Sequence, residues 1–150
     1  MMLLEKKAKR LNPVIEERQT KFDAETQKLN EIRKRKMDLV AIMRARQQEY
    51  MDGVNRLNEE RGTSNRLMLE ALETGLDSVK NQWMALYQAI IELEREEKNQ
   101  FLVMSQAHRE LEAIVTLQNK YKVEFAKDLE RREQKMLDEH AIRRFIKDSH

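Results

Sequence analysis

Histidine is the residue type best suited to acid–base or metal chemistry in this 150-residue chain, and none of its three copies has the necessary company. His108, His140 and His150 lack a partner at metal-ligand spacing, and no HExxH pair occurs. Asp138-Glu139-His140 is a suggestive triplet, but adjacent residues on a helix point in different directions, so the three cannot converge on one atom. There is no phosphate-cradling glycine loop and no GxSxG elbow. Cysteine is absent, which excludes a disulfide framework and a thiolate zinc site and fits a reducing compartment. A non-enzymatic protein with no cofactor and no metal is therefore expected.

Charge is the other source of chemistry. Lys6, Lys7, Lys9 and Arg10 precede the first expected helix, and Arg33-Lys34-Arg35-Lys36 lies within it. Residues 1–36 carry eleven basic and six acidic side chains, whereas residues 37–126 sum to −4. A solvated helical face is the simplest account, and a partner-facing basic end is the alternative. Nucleic-acid binding is disfavoured, because aromatic interleaving is missing and acidic residues are mixed in throughout. The net charge of +2 points the same way.

The elements that carry these residues follow from composition. Charged residues make up 37% and aromatics 5%, with three glycines and one proline, which suits long helices burying a narrow stripe rather than a compact globule. The run Met1–Leu4 is too short for a signal peptide, and no stretch approaches the roughly 18 apolar residues of a membrane span. A cytoplasmic chain is expected.

Two heptad tracks are legible. In the first, Ile15, Phe22, Leu29, Lys36, Met43, Tyr50 and Leu57 recur every seven residues. Its companion track has Ile32 and Leu39, but also Arg18, Glu25 and Arg46. Pro13 suits the first helical position, Asn12 can cap it, and Leu11 can pack back on Ile15. The second track runs from Leu69 through Trp83, Ile90 and Leu93 to Phe125, interrupted by Glu97, Gln100 and Gln118. Its phase differs from the first by a step that neither a stutter nor a stammer produces. The break falls at Gly62-Thr63-Ser64-Asn65, where glycine permits a left-handed helix end and Ser64 or Asn65 can cap the next helix. Gly53 and Gly75 lie inside the frames and are expected to stay helical.

The expected architecture is thus all-α, a single domain over 1–150 built as a long antiparallel two-helix coiled-coil hairpin. Helix 1 spans about 13–60, the turn about 61–65 and helix 2 about 66–146. Folding near residue 63 puts Pro13 opposite Ala113, and helix 2, about 125 Å long, runs on as an overhang. Lys36 in the apolar track serves to fix register. Met43, Tyr50, Leu72, Leu76 and Val79 gather near the hairpin end, where Arg46 and Gly53 weaken the opposing track and leave apolar surface for another protein. On residues 126–150, Leu129, Met136, Leu137, Ile142, Phe145 and Ile146 have nothing on helix 1 to cover them. An amphipathic helix without an internal partner docks elsewhere or frays.

The chain resembles the FliJ family, the small coiled-coil component of the flagellar type III export apparatus, over about residues 8–145. Leu11-Asn12-Pro13-Val14-Ile15-Glu16-Glu17-Arg18 is similar to the family's opening. Gln48-Glu49-Tyr50 and Thr63-Ser64-Asn65-Arg66 resemble the segment into and through its turn. Glu133-Gln134-Lys135-Met136-Leu137-Asp138-Glu139, with Ala141 and Arg143, resembles its final stretch. The injectisome YscO family shares the architecture. The resemblance implies a stalk-like hairpin that binds and stimulates a hexameric export ATPase, contacts the export gate protein FlhA and escorts export chaperones. It implies a location at the cytoplasmic face of the inner membrane. The gate-binding face would use Met43, Tyr50, Leu72, Leu76, Val79 and Trp83, and the ring-binding segment Leu129, Arg132, Met136, Leu137, Ile142 and Phe145. The competing readings are a generic or dimeric coiled-coil scaffold and a helical-arm nucleic-acid binder.

Overall fold

A 3-4 alternation of apolar residues can be satisfied only by a second helix laid along the same stripe. The computed structural model describes residues 2–62 and 65–149. They form α1 (Met2–Arg10), α2 (Asn12–Glu60) and α3 (Arg66–Asp148), with no strand among them. The all-α, antiparallel coiled-coil expectation holds, because α2 and α3 pack against each other. Along α2 the less exposed positions step through Ile15, Arg18, Phe22, Glu25 and Leu29 to Leu57, so polar and apolar members of both tracks face inward. Contacts divide the chain into two compact units, Glu25–Met104, and Met1–Ala24 with Ser105–His150.

In the Glu25–Met104 unit, Leu29, Leu57, Ile90 and Leu93 are buried. At the turn, the last bond of α2 runs from the Arg61 N–H to the Leu57 carbonyl at 3.0 Å. The next helix is capped by Asn65, whose side-chain oxygen accepts the Met68 N–H at 3.4 Å while its carbonyl takes that of Leu69 at 3.0 Å. Ser64, the alternative cap, lies outside the described residues, as does Thr63. Gly62 does not take the left-handed φ expected of it, and a side chain there would meet open space.

In the other unit, the basic residues Lys6, Lys7, Lys9 and Arg10 do not merely precede a helix. They belong to α1, which the sequence reading missed. Pro13 has no N–H to give to the carbonyl four residues back, and its ring strains the preceding turn, so the helix breaks at Leu11. The Leu11 N–H turns instead to the Ala8 carbonyl at 3.3 Å, and the Ile15 N–H restarts the ladder on the Leu11 carbonyl at 2.8 Å. Buried Gln118 fills the gap: its Nε2 donates to the Ala8 carbonyl at 2.9 Å and to the Asn12 side-chain oxygen at 2.5 Å. Asn12 is thus the first residue of α2, and its side chain serves α3 rather than its own helix end. Phe22 and His108 rings stand 5.0 Å apart. Asn12 against Gln118 and Phe22 against His108 put Pro13 level with about Leu117, roughly one helical turn from the Ala113 level expected.

Removing the Gln118 amide should undock α1. Gln118→Ala leaves the Ala8 carbonyl without its second partner, a cost of about 1–3 kcal/mol. The readout is amide hydrogen exchange, which should accelerate at residues 2–12; unchanged protection there would show that Gln118 does not hold the break.

Candidate docking surfaces

Several polar interruptions of the two tracks find their partners on the facing helix. Within the Glu25–Met104 unit, Lys36 Nζ lies 2.7 Å from one Glu97 oxygen and Arg33 Nε 3.3 Å from the other. Gln100 Nε2 donates to both the carbonyl and the carboxylate of Glu25, at 3.0 and 2.5 Å. In the other unit, one Glu110 oxygen accepts from Arg18 at 3.0 Å and Lys21 at 3.2 Å. The hydrogen bond from Lys36 holds the Glu97 carboxyl below its ordinary 4.5, against desolvation that pushes it up, with Arg33 adding to the pull. Glu110 is lowered chiefly by the hydrogen bond from Lys21. These pairs are half-exposed at their rims, so they specify alignment more than they supply stability.

This alignment places the tip-side residues. Met43, Tyr50, Leu72, Leu76, Val79 and Trp83 are all half-buried in the seam of the Glu25–Met104 unit. Gly53 is helical, and Leu76 lies so close that any Cβ there would collide with it. A shallow groove lined by Gln47, Tyr50, Met51 and Trp83 opens beside this approach. The Trp83 indole nitrogen is shut off from solvent without a hydrogen-bond partner. A buried donor of that kind normally costs about 1–3 kcal/mol.

What sequence reasoning missed is the surface next to that seam. Met37, Met51, Met84, Tyr87, Ile91 and Phe101 are exposed large apolar side chains just outside the two tracks. Met51 and Trp83 share one groove and Arg33 and Phe101 another, so the outer positions of both helices open on one side. Arg44, Lys80 and Lys98 on the same outer positions form no ion pair among the described residues. The signal was present as methionines and aromatics off the seam frame, but a track-by-track search passes over them.

The second candidate surface is the end of α3. Tyr121 and Leu129 are half-buried, with Lys7 of α1 5.7 Å over the Tyr121 ring. The uncovered stretch therefore begins after Leu129 and not at residue 126, because α1 lies alongside. From Arg131 to Ser149 every residue is exposed, including Arg132, Met136 at 69%, Leu137, Ile142 and Phe145 at 75%. The expected overhang residues thus share one bare helix, apart from Leu129. Among the described residues no cluster of His, Asp or Glu is arranged to hold a metal ion. Among the described residues, too, no helix is long and apolar enough to cross a membrane.

A family model described as FliJ, flagellar FliJ protein, matches residues 7–149. No curated protein and no solved structure matches.

Two outcomes test this geometry. Because Glu97 is lowered in the folded state, its stabilisation is complete above the unfolded value near 4.5 and is lost as pH falls through the lower folded value. Thermal melts should therefore weaken below about pH 4.5, and Glu97→Gln should flatten that decline while lowering stability at neutral pH. Gly75 faces open space in mid-helix, so Gly75→Ala should stabilise by about 0.5–1 kcal/mol. Gly53→Val should instead destabilise, since Leu76 occupies the space a side chain needs. Equal effects of the two glycine changes in urea melts would contradict the close approach.

Proposed function

The chain belongs to the flagellar FliJ protein family, a non-enzymatic component of the flagellar export apparatus, and we propose that it serves there as a stalk for a hexameric export ATPase. The observation that carries this reading is the bare end of α3, in which residues 131–148 keep a helix with apolar side chains covered by nothing among the described residues. Such a helix gains most of its stabilisation only on reaching a partner. Leu129, Arg132, Met136, Leu137, Ile142 and Phe145 would make the ring contact.

Stimulation follows from differential binding. A stalk that meets successive ring subunits unequally favours one nucleotide state, and by linkage that state holds the stalk more tightly. At the tip, the face of Met51, Met84 and Tyr87 beside Trp83 would contact the export gate, with Met43, Tyr50, Leu72, Leu76 and Val79 supporting it from the seam. Its unpaired Arg44, Lys80 and Lys98 suit an acidic-flanked segment of the gate protein FlhA or of an export chaperone. The chain would act there at the cytoplasmic face of the membrane.

Truncation after Glu130 removes no packed residue, so folding should survive it while ATPase stimulation disappears. Retained stimulation would sink the stalk reading. Met51→Ser with Tyr87→Ser, both exposed, should weaken gate binding by about tenfold or more, as loss of two apolar anchors implies. Its melting curve should stay near that of the parent, and binding by calorimetry is the check.

A further inference from the structure

The geometry points to the last turns of α3, residues 140–147, as a segment that docks on an anionic lipid surface. On a helix advancing about 100° per residue, Ala141, Ile142, Phe145 and Ile146 form one continuous arc, extended by Leu137 a turn earlier. All four large members are exposed, Phe145 at 75% and Ile146 at 53%. His140, Arg143, Arg144 and Lys147 occupy the remainder of the circumference, and no acidic residue falls between His140 and Lys147. Arg143 and Arg144 flank the arc, each about 60° beyond its nearest edge. Neither they nor Lys147 form an ion pair among the described residues, whereas upstream Arg131 is paired with Asp128 at 4.0 Å.

That distribution separates a lipid surface from another helix. A coiled-coil partner needs the inward 3-4 track to continue, but Asp128, Arg132, Lys135 and Glu139 interrupt it in succession, and its return at Ile142 and Ile146 spans a single turn. A headgroup layer asks for something different: an apolar arc at the acyl boundary, with guanidinium groups on both sides reaching lipid phosphates. The attraction is to the negative charge of the surface, which adds to the burial of the arc. Asp138 and Glu139 end the segment, so only the final turns enter the interface. This does not rest on the ATPase reading, and the ring and the lipid would compete for Ile142 and Phe145.

The test is sedimentation of the purified full chain with vesicles of phosphatidylglycerol and phosphatidylcholine, against phosphatidylcholine alone, in the absence of any ATPase. Binding to the anionic vesicles should be stronger by about tenfold or more and fall with added salt. Arg143→Gln with Arg144→Gln should bring it down to the zwitterionic level, and Phe145→Ser with Ile146→Ser should abolish it. Far-UV circular dichroism controls for folding, which these exposed side chains do not support. Equal binding to both vesicles, no binding, or full binding by the arginine variant would each overturn the proposal. ATPase stimulation measured without vesicles remains a separate readout, so the two readings fail independently.

Discussion

A narrow seam between two helices accommodates polar side chains best where the other helix supplies their partners, and this constraint organises the protein. Glu97 is held by Lys36 and Arg33, Gln100 by Glu25, and Glu110 by Arg18 and Lys21. Slide α3 by one turn and each of these groups would face an apolar neighbour. Leucines alone would accept several registers at similar cost, since apolar contact is non-directional. The polar positions raise the cost of the wrong ones.

The same logic operates separately in each unit. In the Glu25–Met104 unit, Gly53 yields to Leu76, and Tyr50 and Trp83 line a groove with Gln47 and Met51. In the other unit, Pro13 breaks the helix, and Gln118 spends its amide on the freed Ala8 carbonyl rather than on an ordinary seam contact. There α1 lies beside α3, with Lys7 over the Tyr121 ring. Beyond it, α3 keeps its helix with neither seam nor cover.

How much was legible depended on whether the signal was local. The break before α2 is legible in Pro13 and the start of α3 in Asn65, because both act over a few residues. α1 was passed over because nine charged and apolar residues before a proline read as a flank, and its helix is completed by Gln118 more than a hundred positions away. The exposed Met51, Met84 and Tyr87 face was missed for a related reason. Each residue lies off its own helix's track, and only juxtaposition of the two helices makes them a surface.

Sequence by itself determined the class of molecule, because a heptad period is buried only by another helix. It also marked Lys36, Glu97, Gln100 and Gln118 as departures from the apolar tracks. Which departure meets which was decided by the tertiary structure alone. Pairing is a property of register, and register is the free energy of all the cross-helix contacts taken together, so no single track contains it. The placement of Pro13 opposite Leu117, and the point at which α3 emerges bare, are consequences of that one choice.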